Sequence, residues 1–216
     1  MDSYEVNQRN QVKRVAKRGA YDKETVYCIL DSSFMCHVSF VVDGQPFIIP
    51  TLYGRDGNTI FLHGATTSRM LKNLQNGFDI SLAVTHVDGI VLARSIFHHS
   101  ANYRSVVVFG KAKLVAEEDK IRALEVISDQ VINGRWSEVR PPSAKELKAT
   151  SVLAIDIEQA SAKIREGGPG DDQEDMTLDV WAGVIPFKLQ AMEPITDELC
   201  SKGELPTSVV NFYKSS

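Results

Sequence analysis

The chain has 216 residues, with 24 Lys and Arg against 28 Asp and Glu, which gives a formal net charge of −4. A protein that coats nucleic acid needs a basic surplus, so the charge excludes that class of protein. The hydrophobic fraction of 43% and the charged fraction of 24% exclude global disorder. The length fits one domain, because all-β barrels and sandwiches reach about 200–250 residues as a single unit.

The cysteine content indicates a reducing compartment. The three cysteines, Cys28, Cys36 and Cys200, are odd in number and include no Cys-x-x-Cys pair, so neither a disulfide framework nor a zinc site is indicated. The N-terminus has no apolar signal-peptide region, and no run of about 18 apolar residues could cross a membrane. We therefore expect a cytoplasmic protein with neither a membrane nor a nucleic acid as partner.

A short helix is predicted to begin at Asp22, and hairpin signals follow it along the chain. The pairs Asp43-Gly44, Asp56-Gly57 and Asp88-Gly89 each lie between apolar runs, and each predicts a type I′ hairpin turn. The predicted antiparallel strands cover 37–42, 46–54, 59–63, 79–87, 90–98, 104–116 and 151–164. Seven strands joined largely by hairpins favour a barrel or a sandwich.

Three further helices are predicted between these strands, over 68–77, 118–135 and 143–149. The last has a capping box formed by Ser143 and Glu146. The Gly-rich acidic stretch after residue 165 lacks the carboxylate spacing of a calcium-binding loop, and 179–187 forms one more apolar segment.

The segment from His63 to Lys72 is a candidate phosphate site. It follows a strand and opens a helix, where free backbone N–H groups and the helix dipole attract anions. The hydroxyls of Thr66, Thr67 and Ser68 and the guanidinium of Arg69 would add hydrogen bonds to a phosphate. The alternative is that Thr67 or Ser68 only caps the helix while Arg69 is solvated. The sequence lacks dinucleotide-binding, P-loop, zincin and α/β-hydrolase motifs.

A polar junction at 94–105 contains the adjacent pair His98-His99. Neighbouring strand residues point to opposite faces, so the two imidazoles are not expected to share a metal ion. No spaced carboxylate or cysteine cluster accompanies them, and we predict no metal site. One histidine is expected to pack inward and the other to be exposed.

Three motifs carry a resemblance over about residues 25–165: CHVSFVVDGQPFIIPTLYGRDGNTIFLHGATTSRM, DISLAVTHVDGIVLARS and HHSANYRSVVVFGKA. Together they resemble the pyridoxamine 5′-phosphate oxidase-like FMN-binding split-barrel superfamily, and within it the flavin-nucleotide-binding or nitroimidazole-resistance-like group. The resemblance implies a mainly β fold with flanking helices, a six-stranded antiparallel Greek-key split barrel. It implies one domain over 1–216, with a barrel core at about 25–165 and a C-terminal extension at 166–216.

The resemblance also implies a homodimer with FMN at the subunit interface. Thr67, Ser68 and Arg69 would then hold the phosphate, and Pro50, Thr51 and Leu52 would run beside the isoalloxazine. The region 102–105 would face the cofactor, from the same or the partner subunit. The residues implied in cofactor binding are Pro50, Thr51, Leu52, His63, Thr66, Thr67, Ser68, Arg69, Lys72, Ser100, Asn102, Tyr103 and Arg104. His63 and Tyr103 are the candidate proton donors.

One departure from the family concerns the substrate. The oxidase proper binds its vitamin B6 product with a C-terminal Arg and His, whereas this chain has no histidine after His99. Trp181 is either a lid over the pocket or a core residue. We expect a flavin-dependent oxidoreductase that acts on a small molecule, with NAD(P)H as a candidate electron donor. The alternatives are a non-catalytic flavin store or sensor, and a haem-handling split barrel favoured only by His98-His99.

Overall fold

The computed structural model describes residues 2–201 and 203–215. Within them the strands are Gly19–Ala20 (β1), Met35–Val42 (β2), Gln45–Asp56 (β3), Thr59–Ala65 (β4), Asn76–Leu92 (β5), Ser100–Leu114 (β6), Thr150–Asp156 (β7), Gln159–Arg165 (β8) and Gly183–Pro186 (β9). The α-helices are Lys23–Asp31 (α1), Arg69–Leu74 (α2), Lys120–Val131 (α3), Ala144–Ala149 (α4) and Thr207–Ser215 (α5).

Six strands form a hydrogen-bonded ring in the order β6-β7-β4-β3-β2-β5, which closes because β5 also pairs with β6. Strands β2, β3 and β4 follow one another as hairpins, and β5 returns to lie beside β2, which is the Greek-key connection. Every strand pair whose register is described is antiparallel. The predicted mainly β split barrel with flanking helices is confirmed.

By their internal contacts the residues divide into two compact units. The first unit comprises Met1–Ile29, Ala83–Val108 and Gln159–Lys188. The second comprises Leu30–Leu82, Phe109–Glu158 and Leu189–Ser216. Strands β5 and β6 each contribute residues to both units.

The three Asp-Gly pairs differ in what they form. Asp43 and Gly44 both have positive φ angles, 51° and 77°, so the type I′ turn between β2 and β3 is confirmed. In the next turn Gly57 lies in the left-handed region at φ 56°, and the loop is Gly57-Asn58 rather than Asp56-Gly57.

The third predicted hairpin, at Asp88-Gly89, is wrong, because β5 runs without interruption from Asn76 to Leu92. Gly89 pairs with Pro186 of β9, and a Cβ at this position would lie 2.8 Å from the carbonyl oxygen of Ile185. The glycine therefore permits a close approach of two strands, not a turn. The predicted strand 90–98 likewise ends at Leu92, and residues 96–98 form a 3₁₀ turn.

Other predicted boundaries are also corrected. The strand predicted over 151–164 is two strands, β7 and β8, and the predicted helix 68–77 is the shorter α2. The helix predicted over 118–135 is α3, which ends at Val131. The predicted capping box is confirmed: the Ser143 side chain accepts from the Glu146 backbone, and the Glu146 side chain accepts from the Ser143 backbone.

Helix α3 packs directly on β3 in the second unit. A Cβ at Gly54 would lie 2.7 Å from the backbone Cα and N of Ile127, so the absence of a side chain at Gly54 lets the helix backbone touch the strand. Ala123 and Ile127 of α3 are buried in a cluster with Val115 and Val152. This contact fixes the height of α3 above the sheet.

The described residues of the C-terminal extension form a 3₁₀ turn at Asp175–Thr177, one strand and one α-helix. Strand β9 pairs with β5 in the first unit, and α5 belongs to the second. Between them, the described residues of 187–206 form neither helix nor strand. None of the described helices is long and apolar enough to cross a membrane.

Candidate functional site

The segment predicted to hold phosphate lies between β4 and α2 in the second unit. The N–H of Thr66 donates to the carbonyl of Ala149 over 3.0 Å, which ties the segment to the end of α4. Thr66 and Thr67 are exposed, and the half-buried Ser68 side chain forms no hydrogen bond with the first turn of the helix. Ser68 occupies the N-cap position of α2, but its hydroxyl does not cap the helix.

Arg69 is held in place by an aromatic ring. Its guanidinium carbon lies 4.4 Å from the centroid of the Phe47 ring, and Phe47 in turn stacks on Phe40 at 5.6 Å between centroids. No carboxylate among the described residues forms an ion pair with Arg69, and both Arg69 and Lys72 are exposed. Stacking orients the planar guanidinium while its N–H groups stay available, which suits an anionic ligand.

The predicted isoalloxazine wall lies on β3. Pro50 is exposed and pairs with His37 of β2, and Thr51 is half-buried, with its hydroxyl 3.4 Å from the carbonyl of Leu52. Leu52 itself lines a cavity of about 630 Å³ in the second unit. This volume falls in the range of about 300–1,000 Å³ that is usual for small-molecule and cofactor sites.

The cavity is apolar on most of its surface and carries charged groups at one part of it. It is open to solvent on one side and is bordered by β3, β4, α3, the 3₁₀ turn Trp136–Glu138, α4 and the start of β7. The lining residues are Leu52, His63, Leu124, Ile127, Ser128, Val131, Ile132, Arg135, Trp136, Arg140, Pro142, Glu146 and Thr150. Two of these lining residues, Leu52 and His63, were predicted from the sequence to bind the cofactor.

His63 is the histidine of this cavity. It lies on β4 and pairs with Val152 of β7, and its Nδ1 is buried without a hydrogen-bond partner among the described residues. Burial lowers the pKa of His63 below its ordinary value, because the charged form loses its hydration. The neutral imidazole is favoured at pH 7, which suits a metal ligand or a proton acceptor better than the predicted proton donor.

Arg135, Arg140 and Glu146 form the charged part of the cavity wall. Arg140 makes a bidentate contact with Glu146, with N–O distances of 2.8 and 2.6 Å, and this contact lowers the pKa of Glu146. Arg135 donates to Glu138 over 3.3 Å. Arg135, Trp136 and Arg140 were not among the residues predicted from the sequence, although the Arg-Trp pair directly after a Gly helix stop was an available signal.

The remaining predicted cofactor residues lie on β6 in the first unit, and two of them already have protein partners. Arg104 makes a bidentate ion pair with Asp88, at 3.0 and 2.8 Å, which lowers the pKa of that carboxyl. Asn102 accepts from Arg165 and donates to the carbonyl of Gly167. Ser100 is exposed and Tyr103 is half-buried. Their predicted contacts with a cofactor stay predictions.

The pair His98-His99 does not lie in a strand. His98 ends the 3₁₀ turn that begins at Ile96, and its Nε2 lies 3.0 Å from the carboxylate of Asp172, whose hydrogen bond raises the pKa of His98. The Nε2 of His99 is 3.3 Å from the carbonyl of Ala93. Across the part of the chain that the structure describes, no group of three His, Cys, Asp or Glu side chains could hold a metal ion.

Trp181 is not a core residue, since 65% of its surface is exposed. It lies just before β9, and a Cβ at Gly183 would be 2.9 Å from its indole ring. The core alternative for Trp181 is therefore wrong, and its role as a lid stays a prediction.

A closed antiparallel ring with flanking helices and a histidine-containing cavity defines a split-barrel protein with a cofactor-sized pocket. A family model described as pyridoxamine 5′-phosphate oxidase matches residues 22–164, which is more than half of the chain. The chain belongs to the pyridoxamine 5′-phosphate oxidase family. A search of the curated proteins gave no match.

Two solved structures are similar over nearly their whole length. The flavocytochrome Anf3 from Azotobacter vinelandii is 38% identical, with 95% of this chain and 97% of that chain covered and a TM-score of 0.89. The FAD and heme binding protein from Mycobacterium smegmatis is 36% identical, with 91% and 97% covered and a TM-score of 0.87. A proposed 5-nitroimidazole antibiotic resistance protein from Bacteroides thetaiotaomicron VPI-5482 is 20% identical, with 68% of this chain and 86% of that chain covered. Its TM-score of 0.56 shows a shared fold.

Proposed function

We propose that this protein is a flavin-binding redox protein, and that the segment between β4 and α2 binds the flavin phosphate. The observation that carries the proposal is the stacked, unpaired guanidinium of Arg69 beside the exposed Thr66 and Thr67. Charge-assisted hydrogen bonds from an Arg are well suited to phosphate. The similar protein from M. smegmatis, which is described as binding FAD, supports a flavin ligand. A bound flavin would supply hydride and single-electron transfer.

The residues of this chain would position the flavin rather than react with it. Arg69, Lys72 and the hydroxyls of Thr66, Thr67 and Ser68 would bind the phosphate that FMN and FAD have in common. Pro50 and Thr51 would lie beside the ring system, as the family resemblance implies. FMN stays the prediction from the sequence, while the M. smegmatis protein favours FAD, and chromatography of the flavin released from the purified protein decides between them.

We propose that the same protein also binds haem, in the cavity that contains His63. The residues fit this group in three ways. His63 offers a half-buried, neutral imidazole whose Nδ1 has no partner among the described residues, and the cavity wall is largely aliphatic and aromatic. Arg135 and Arg140 would bind the propionate carboxylates in exchange for their present partners Glu138 and Glu146. Both near-full-length structural relatives support the proposal, one described as a flavocytochrome and the other as a protein that binds heme. Bound haem would supply one-electron chemistry at its iron.

The absorbance spectrum of the purified protein tests both proposals at once. We expect a flavin band and a Soret band in the wild type. His63→Ala should remove the Soret band and keep the flavin band, because a methyl group cannot replace a coordinating nitrogen. His99→Gln is the matched control and should keep both bands, since His99 bonds the Ala93 carbonyl. A Soret band that survives His63→Ala unchanged would contradict the assignment of the ligand.

We further infer a homodimer. On the outer side of the β2–β3 hairpin, Met35, Val41 and Ile48 are 48%, 57% and 68% exposed, and a partner surface would bury such apolar side chains. Light scattering should give twice the monomer mass of 23.9 kDa. A monomer mass at micromolar concentration would contradict the inference.

Catalysis and the electron donor are tested by turnover. Oxidation of NAD(P)H by the purified protein with a nitro compound or a quinone as acceptor would establish an oxidoreductase, whereas a store or sensor would show no turnover. The three free cysteines, Cys28, Cys36 and Cys200, are in keeping with the reducing conditions of the cytoplasm.

A further inference from the structure

One fully buried residue, Ser208, joins the C-terminal helix α5 to Glu138 in the second unit. Ser208 is 4% exposed, its backbone N–H donates to a carboxylate oxygen of Glu138 over 3.0 Å, and its hydroxyl donates to the other oxygen. A carboxylate at a helix N-terminus satisfies a free N–H group and meets the positive end of the dipole. Glu138 therefore caps a helix that begins 69 residues later in the chain, at Thr207.

The same carboxylate also reaches the wall of the cavity. Glu138 closes the 3₁₀ turn that begins at Trp136, and Arg135 immediately before that turn donates to the Glu138 carboxylate over 3.3 Å. Both Arg135 and Trp136 line the cavity. The chain of contacts Ser208–Glu138–Arg135, here called the C-terminal latch, thus connects α5 to two residues of the cavity wall.

Helix α5 is too short to be stable without tertiary contacts, and its contact with Glu138 is one that the structure shows. It has nine residues, which is shorter than the roughly 12–15 that an isolated helix needs to be marginally stable in water. The described residues of the preceding stretch, 187–206, form neither helix nor strand. Among the α5 residues whose burial is described, Ser208 is the one that is fully buried.

We propose that the C-terminal latch is a positioning device for the His63 cavity: docking of α5 on Glu138 holds Arg135 and Trp136 in the wall and slows release of the ligand inside. Opening of the latch would free α5 and the 3₁₀ turn without unfolding the sheet, as local openings of weakly held segments do. The identity of the ligand rests on the proposed haem binding, whereas the coupling between α5 and the cavity wall does not.

The experiment compares Ser208→Ala and Glu138→Gln with Asn211→Ala, an exposed position on the same helix. Hydrogen exchange reports on 132–140 and 207–215, and acrylamide quenching reports on Trp136 in a Trp181→Phe background, where Trp136 is the single tryptophan. We expect exchange in both segments to quicken by roughly 5- to 30-fold in the two latch variants, the change produced by one or two kcal/mol. Quenching of Trp136 by acrylamide should also increase in these two variants. Asn211→Ala should match the wild type in both exchange and quenching.

Haem transfer to an acceptor apoprotein gives the functional readout, and we expect release to quicken in the same variants. Unchanged exchange in 132–140 and unchanged quenching of Trp136 in both latch variants would overturn the proposal. Faster exchange in 207–215 alone would also overturn it, because α5 would then be held without influence on the wall. A wild type purified without haem would count against the proposed haem binding, and exchange and quenching would still decide on the latch.

Discussion

Arg69 offers the most direct test of the flavin phosphate site, and the structure sets the expected size of its effect. Hydrogen bonds to charged groups contribute about 1.5–3 kcal/mol, so Arg69→Ala should raise the dissociation constant of the flavin by roughly 10- to 150-fold. Arg69→Lys keeps the charge but loses the planar guanidinium and its stacking on Phe47. Its dissociation constant for the flavin should therefore lie between those of wild type and Arg69→Ala. Thr67→Ala should have a smaller effect, because water replaces a neutral hydroxyl.

A substitution of Phe47 tests the orientation of the Arg69 guanidinium without removing its charge. The centroid of the Phe47 ring lies 4.4 Å from the guanidinium carbon, and a cation–π contact at an exposed site contributes about 0.5–1 kcal/mol. Phe47→Leu should therefore raise the dissociation constant by roughly 2- to 5-fold while the phosphate-binding groups stay in place. It should also lower the free energy of unfolding, because the stacking of Phe47 on Phe40 is lost.

Titration of the flavin-free protein with flavin, followed by quenching of flavin fluorescence, measures these constants. Arg122→Ala is the matched control, because Arg122 is an exposed arginine whose partners are Glu125 and Asp56. Equal flavin affinity in wild type and Arg69→Ala would refute the phosphate assignment. If Phe47→Leu lost as much flavin affinity as Arg69→Ala, the ring of Phe47 would do more than orient the guanidinium, and this interpretation would be refuted.

Three further predictions concern stability. Gly54→Ala should lower the free energy of unfolding by about 1–3 kcal/mol in a denaturant titration, because the new Cβ would meet the backbone of α3 at 2.7 Å. Tyr53→Phe should cost about 1 kcal/mol in the same assay, since it removes the buried hydrogen bond to the carbonyl of Leu30. The contact of His98 with Asp172 raises the pKa of His98 above 6.5, so its stabilisation is fully present below that pH and is lost as pH rises through the raised value. The difference in unfolding free energy between wild type and His98→Gln should therefore shrink from pH 6 to pH 8, and a constant difference would contradict the ion pair.

Features that depend on local chemistry could be predicted from the residues alone. The turn at Asp43-Gly44 needs only two residues that tolerate positive φ, and the capping box of Ser143 and Glu146 needs only their spacing of three, so both could be predicted. The alternation of apolar residues between turn signals likewise indicated a barrel or a sandwich. The continuous motifs identified the split-barrel family, which the match over residues 22–164 confirms.

Features in which distant segments meet could not be predicted in this way, and the folded chain was needed to see them. Asp88-Gly89 has the same local signal as Asp43-Gly44, but Gly89 pairs with Pro186 of β9, almost 100 residues away, and the strand continues. His63 could be singled out from its motif, but its low pKa and unpartnered Nδ1 come from burial beneath other segments. The cavity brings His63 together with Trp136 and other residues from β3, α3 and α4, and the latch joins Glu138 to a helix 69 residues further on. Such contacts depend on which surfaces pack together, and no short stretch of sequence specifies that on its own.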